Sequence, residues 1–346
     1  MKVLKILLGI ICGIAVVIVI FVIAAWIFEY RPKDAEVLHT SERPVTLPTD
    51  TIRILSWNTG YGGLDGEMDF FYDGGSLTRT SRKNTEANIK AIAEFISSSD
   101  ADIILLQEVD VASHRSYNIN EFEEYKSVMP EYHAELAYNY RSFFVPIPLK
   151  NPIGKVNGGV AVFSRWEPGK VIRYQYPGGF PFPVRLFNLK RCMLSMEFTT
   201  PSGKSLMVNN THNSAYDDGH LKDVELHFMR DLLIGWSKTG GISITGGDWN
   251  QNPPGYIQSE PETNDPYFSP ALINENIFPA GWSFCYDPTT ASARYLYESY
   301  KSGKTTTTFI DLFLLSPDIE CVEIKTHDLG FANSDHNPVS AIFVVK

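Results

Sequence analysis

Cysteine is scarce in this chain: four residues among 346, at positions 12, 192, 285 and 321, with no C-x-x-C pair. That excludes a paired-cysteine metal framework and a dithiol redox site. Cys192 and Cys321 fall in apolar runs and read as small core residues. No G-x-S-x-G is present, so a serine elbow is excluded as well. Positive charge is also short. The chain carries 30 Lys and Arg against 40 Asp and Glu, a formal charge of −10. This argues against a broad basic surface for duplex nucleic acid. It leaves room for a local basic patch, or for a divalent cation at an acidic site. Internal repeats and low-complexity tracts are absent.

One long hydrophobic run is present. After a basic head over residues 1–5, Ile6 to Phe28 gives 23 residues without a charge. At 1.5 Å per residue this spans a hydrocarbon core of about 30 Å. A cleaved signal peptide is the rival reading. Its apolar region is usually about 7–15 residues and ends in a small-x-small site. The length here, and the stretch Trp26-Ile27-Phe28-Glu29-Tyr30, favour an uncleaved anchor. The flanking charges decide orientation weakly. A head this short favours a large C-terminal domain outside the cytoplasm. Residues 29–50 carry three prolines and read as a stalk. The remainder, 51–346, reads as one catalytic domain.

Apolar residues make up 44% of the chain, enough for a sizeable core. Several apolar strands end in a compact polar group. Thr51–Asn58 alternates and stops at Asn58 before a glycine-rich loop. Asp65, Glu67, Asp69 and Asp73 in that loop read as a solvated acidic segment. Arg82 to Ser98 has helical periodicity, and Ile103–Leu106 is a buried strand leading to Glu108. Tyr117 to Tyr140 is aromatic-rich and reads as partly helical. Pro177 to Pro183 holds three prolines and reads as an apolar loop that touches lipid, roofs a cleft or packs on the domain. Ser205–Asn210 is a strand followed by His212, and Asp217 to Ser237 turns helical. Gly240–Gly247 runs into Asp248 and Asn250, with glycines that let the backbone bend tightly. Gln251 to Ser302 reads as a substrate-facing excursion rather than core. Asp311 stands inside an apolar strand and needs a partner. Asp335 and His336 precede the last strand, Val339–Val345, an arrangement in which the acid orients the imidazole.

The strand ends thus collect hard oxygen donors, two imidazoles and two amides. Such a set suits metal-assisted attack of water on a phosphate ester. Asn58 and Glu108 together suit Mg²⁺ or Mn²⁺. Lys190, Arg191 and Arg165 form a small patch, adequate for one phosphate.

Six stretches carry a resemblance: Ser56-Trp57-Asn58, Leu106-Gln107-Glu108, Asn210-Thr211-His212, Gly247-Asp248-Trp249-Asn250, Ile310-Asp311 and Ser334-Asp335-His336. In this order they resemble the endonuclease/exonuclease/phosphatase superfamily over about residues 52–345. The resemblance implies a DNase I-like, four-layer α-β-β-α sandwich and Mg²⁺-dependent phosphoester hydrolysis. It implies Glu108 as principal metal ligand, with Asn58 near the metal or phosphate. Asp248 would position or activate water, and Asn250 would hold a phosphate oxygen. His212 and His336 would act as acid, base or clamp. Asp335 would orient His336, and Asp311 would orient an imidazole. His212 resembles the DNase I, sphingomyelinase and inositol-phosphatase branches. The anchor and the Phe180–Phe182 loop lean towards a membrane lipid head group. An extracellular DNase I-like nuclease is the alternative, nucleic acid being the less favoured substrate on charge. A third reading, from another class, is an inactive anchored binding domain on the same fold.

Overall fold

The computed structural model describes residues 1–43, 45–215, 219–257 and 271–346. Pro44 of the expected stalk, Asp217 at the start of the expected second helix, and residues 258–270 of the Gln251–Ser302 excursion lie outside the described residues.

Labels run in chain order. One sheet has seven strands in the order β1 (Ala35–Thr40), β6 (Lys170–Gln175), β7 (Cys192–Thr199), β8 (Ser205–His212), β9 (Ile242–Asp248), β13 (Asp311–Leu315) and β10 (Ser283–Cys285). The other has six, in the order β14 (Ile319–Thr326), β15 (Val339–Val345), β2 (Thr51–Asn58), β3 (Ile103–Asp110), β5 (Gly154–Ser164) and β4 (His133–Val145). A short ladder joins β11 (Ala293–Arg294) to β12 (Thr307–Thr308). Helices are α1 (Lys2–Ile27), α2 (Arg82–Ser98), α3 (Glu121–Ser127) and α4 (His220–Lys238).

Three apolar clusters define four layers. Ile54, Leu105, Val162, Leu194, Val208 and Phe313 fill the space between the sheets. Trp57, Ile89, Ile92, Leu106 and Tyr125 join α2 and α3 to the outer face of the six-stranded sheet. Met207, Leu226, Met229, Leu233 and Trp249 join α4 to the outer face of the other. Strands covered on both faces explain the near-continuous apolar runs in β3 and β9. Helix α2 starts where the Ser81 hydroxyl accepts the Asn84 amide, and it turns Ile89, Ile92 and Ile96 inward.

Topology places the site. Each sheet holds one parallel pair, β2 with β3 and β8 with β9, joined by α2 and α4 respectively. All four strands therefore finish at the same edge. Strand β13 runs against β9 and begins there, with Asp311 opposite Asp248. Strand β15 runs against β2, so the loop before Val339 arrives there as well.

Several expectations are corrected. The stalk segment contains β1, which pairs with β6, so sheet structure begins before residue 51. Cys321 is joined to Cys285 in a disulfide instead of standing as a free core thiol, whereas Cys192 is free and buried. Asp65 and Asp73 are buried, not solvated; Asp65 accepts the Asn88 amide. The Tyr117–Tyr140 segment is partly helical as expected, with α3, and its end enters strand β4. Part of the Gln251–Ser302 excursion is core, since Ile273, Ile277 and Phe278 pack into the α4 cluster. Asp311 opens β13 rather than lying within it.

Candidate active site

Asp248 is the hub. Its Oδ2 accepts the Asn58 side-chain amide at 2.9 Å and lies 3.3 Å from His212 Nε2 and 3.8 Å from His336 Nε2. Its Oδ1 accepts the backbone N–H of Asn250 at 2.9 Å. Asn250 holds a left-handed backbone, φ 50°, which its amide offsets by donating to the Asn213 carbonyl. Gly247, at φ 141°, lies so close to Thr211 that a Cβ would stand 2.0 Å from its carbonyl oxygen. The glycine thus lets β9 lie against β8 where the chain turns to Asp248.

Asp311 Oδ2 is 2.7 Å from His336 Nδ1. Asp335, expected to orient that ring, is instead 3.9 Å from Nε2. The reason is direction. Asp335 precedes His336 in the chain and projects from the loop, while β13 delivers Asp311 from the neighbouring strand to the other ring nitrogen. Burial alone would push His336 down, but Asp311, Asp248 and Asp335 lift it well above the usual histidine range. His212 goes the other way: burial, then the charges of Arg191, His336 and Arg115, hold it well below. The two imidazoles are therefore unlike, His336 charged and His212 neutral at pH 7. The Nδ1 of His212 is buried without a hydrogen-bond partner. Burial raises Asp248, and burial with the Glu108 charge raises Asp335 to about 6.

Glu108 sits where β3 bulges against β5, between Leu106 and Val109, and has φ 55°. A left-handed glutamate costs about 1–2 kcal/mol. The bulge re-aims its carboxylate towards the cavity. Beneath it, the Gln107 amide donates to Asn210 Oδ1 at 2.7 Å, and the Asn210 amide donates to the Leu106 and Ala161 carbonyls. This buried network ties the two sheets together directly under the site.

Two arginines belong to the site and carry no motif in the sequence. Arg115 is buried, grips Asp110 through two 2.9 Å hydrogen bonds, reaches Glu108 at 3.5 Å and lies 3.9 Å over the Tyr61 ring. Arg294 is buried and donates to the carbonyls of Asp65 and Met68. Asp335, Asp65 and Asp73 act on Arg294 as counter-charges, and nothing in the sequence marks the two loop acids as buried. Arg165, by contrast, lies at the far end of β5 with Asp100 and Tyr132, away from the patch expected of it.

A cavity of about 370 Å³ collects Asn58, Glu108, Arg115, His212, Asp248, Asn250, Asp335 and His336. Lys190 and Arg191 line it too. Asp311 does not line it and works through His336. The donor set fits a divalent cation. Burial and the neighbouring Glu108 charge make the Asp335 carboxylate costly to ionise, a cost a cation would relieve. Asp248, Asp311 and His336 also bring ligand-type atoms within 4.8 Å of one another. Their 2.7 Å pair is already closed by a proton, so the open carboxylates face the cavity from Glu108 and Asp335.

A four-layer sandwich with acids, amides and imidazoles gathered at one edge defines a DNase I-like protein. The chain belongs to the Endonuclease/Exonuclease/phosphatase family, whose family model matches residues 55–336. Members of this superfamily are metal-dependent hydrolases of phosphoester bonds. Similar solved structures include an endonuclease/exonuclease/phosphatase from Beutenbergia cavernae, with 17% identity and TM-score 0.57, covering 85% of this chain and 72% of that one. Another, from Bacteroides vulgatus, has 14% identity and TM-score 0.54 over 86% and 99%. The human Nocturnin catalytic domain with bound sulfate has 16% identity and TM-score 0.53 over 88% and 100%. No curated protein sequence matches.

Proposed function

We propose that the chain is a membrane-anchored, divalent-metal-dependent phosphodiesterase acting on a lipid head group. The observation that carries the lipid reading is the position of the cavity mouth beside the membrane helix. Phe21 of α1 stacks on Phe187 at 5.5 Å and contacts Phe143 at 5.6 Å. Glu29, just past α1, is gripped by Arg185 and Lys190, each at 3.2 Å. Pro177 to Phe180 and Val184, together with Ile147, form part of the cavity wall. Leu149, 89% exposed, and Phe182, 54% exposed, belong to the two loops that supply these wall residues. With 6–28 as the anchor, Phe28, 5.9 Å from Phe143, lies at the interface, where such rings favour residence. Lys190 is also partly neutralised by Glu29, which shrinks the basic surface a nuclease would use.

The residues divide the work as follows. Glu108, with Asn58 and Asp335 beside it, would hold Mg²⁺ or Mn²⁺. The bound ion supplies positive charge to a phosphoryl oxygen and helps to ionise water. Asp248, raised by burial and fixed by the Asn58 amide, receives the proton of the attacking water. His336, kept protonated by Asp311, faces the phosphate as a clamp and a proton donor to the leaving oxygen. His212 is neutral and, with the Asn250 side chain, completes the hydrogen-bonding wall. Residues 1–5 are the head, 6–28 the anchor and 51–346 the body of the catalytic domain, with 29–50 joining them. The Cys285–Cys321 disulfide favours an extracytoplasmic domain, because such bonds persist in oxidising compartments.

The test is hydrolysis by the full chain in vesicles, with Mg²⁺ or with EDTA. Substrates are sphingomyelin, phosphatidylinositol lipids, single- and double-stranded DNA, and soluble bis-p-nitrophenyl phosphate. Lipid turnover that EDTA abolishes is expected. In Leu149→Ser/Phe182→Ser it should fall at least about a hundredfold, since two apolar side chains at about 1.5–3 kcal/mol each contribute at least about 3 kcal/mol on burial, while turnover of the soluble diester holds. DNA cleavage with lipids untouched would overturn the lipid reading.

A further inference from the structure

The sandwich has two lateral edges, and one of them is cross-linked. Cys285 on β10 and Cys321 on β14 join the last strands of the two sheets. The opposite edge brings β1 of the seven-stranded sheet against β4 of the six-stranded sheet. There, two histidines and two glutamates meet. His39 comes from β1, His133 and Glu135 from β4, and Glu167 from the turn before β6.

Their geometry is that of ligands lacking a centre. The His39 and His133 rings lie 4.4 Å apart between centroids. Both Nε2 atoms are buried, and neither has a hydrogen-bond partner. His39 Nε2 is 3.4 Å from Glu167 Oε1, and His133 Nε2 is 3.5 Å from Glu135 Oε1. One ligand atom each from His39, His133 and Glu135 falls within a 4.8 Å span. A tetrahedral zinc with bonds of about 2.0–2.1 Å separates its ligand atoms by about 3.3 Å, close to both of these distances. Two glutamates would balance a dication, and two neutral imidazoles would complete it. The cluster is remote from the Asp248 cavity and none of its members lines it.

We propose that His39, His133 and Glu135, with Glu167 beside His39, form a structural site for a zinc-class divalent cation that clips β1 to β4. Imidazole nitrogens with carboxylates select borderline metals such as Zn²⁺ over Mg²⁺. The clip has a mechanical consequence. Strand β1 follows the membrane helix, with residues 28–34 between them. Fixing it to both sheets holds the cavity mouth at a set height above the bilayer.

The experiment uses the full chain in detergent micelles, stripped with chelator and desalted, then given Zn²⁺ alone. Metal content is read by mass spectrometry and the thermal midpoint by circular dichroism. Wild type is expected to retain one equivalent more than His39→Ala/His133→Ala. Glu108→Gln should keep that equivalent, which separates it from the catalytic cavity. At a hundredfold excess over Kd the midpoint should rise by about 5–10 °C in wild type and Glu108→Gln, and not in the double variant. Should the double variant fail to fold, His133→Gln with Co²⁺ as probe gives a second reading. Wild type would show four-coordinate Co²⁺ absorption that the variant lacks. Equal zinc in wild type and a folded double variant, or a wild-type midpoint unmoved by Zn²⁺, would overturn the site. Equal Co²⁺ spectra in wild type and His133→Gln would do the same.

Discussion

Asp311 and His336 stand 25 residues apart in sequence and 2.7 Å apart in space, Oδ2 against Nδ1. The second Asp311 oxygen is buried without a hydrogen-bond partner. The carboxylate is therefore committed to the ring and holds its proton. Asp311→Asn keeps the shape and removes the charge. We expect kcat to fall by about 10²–10⁴, the usual range for a lost acid–base group, with KM nearly unchanged. His336 would also release its proton more easily, so the alkaline limb of the pH–rate profile should move to lower pH. A variant with normal kcat and an unmoved limb would remove Asp311 from the mechanism.

Glu108 combines a functional carboxylate with an unfavourable backbone at φ 55°. Glycine tolerates that conformation and alanine does not. Metal-dependent turnover should drop at least about a hundredfold in both Glu108→Gly and Glu108→Ala, as for removal of a key catalytic group. Their stabilities should differ, with the glycine variant more stable than the alanine variant by about 1 kcal/mol. Urea unfolding checks the stability and bis-p-nitrophenyl phosphate the turnover. Equal stabilities would mean that the bulge relaxes once the carboxylate is gone.

His327 gives a pH dependence outside the catalytic cluster. Its Nε2 is 2.8 Å from Ser340 Oγ, and burial followed by the Lys325 charge lowers it from the ordinary histidine value. The folded protein thus holds it neutral over a range where the unfolded chain is already protonated. Its contribution is complete above about pH 6.5 and is lost as pH falls through the lower folded value. Melting temperature should decline more steeply below pH 6.5 in wild type than in His327→Gln. Parallel acid limbs would show that this ring does not titrate with unfolding.

The strand-end groups were legible because each follows an apolar run and stops it. Asn58, His212 and Asp248 end parallel strands, and Glu108 follows the last paired residue of another, so a reading of strands alone sends them to one edge. The partnership of Asp311 with His336 was not legible, since adjacency in sequence favoured Asp335 and only strand pairing reveals the distance. Arg115 and Arg294 sit in loop or short-strand contexts without a repeating pattern; Arg115 folds back on Asp110, five residues before it, and Arg294 reaches carbonyls 226 and 229 residues away. Strand β1 escaped because it is short and only partly covered, so no run of apolar residues marks it. His39 and His133 are likewise joined only through the sandwich edge, which no local spacing encodes.

The Cys285–Cys321 bond closes a segment of 36 residues that includes β11, β12 and β13, and with them the strand that carries Asp311. In the chain-entropy account a loop of this length contributes about 3–4 kcal/mol, against a usual range of about 2–4. Cys285→Ala/Cys321→Ala should therefore unfold at lower urea, with a melting point lower by about 5–10 °C. Activity at low temperature should survive, because neither cysteine lines the cavity. The same pair reports topology. With the catalytic domain outside, a membrane-impermeant maleimide added to intact cells should label Cys285 and Cys321 only after a reductant has opened the bond, the buried Cys192 staying silent in the folded protein. Labelling that requires cell lysis but no reductant would place the domain in the cytoplasm. It would then move the substrate to the inner leaflet while leaving the chemistry of the site untouched.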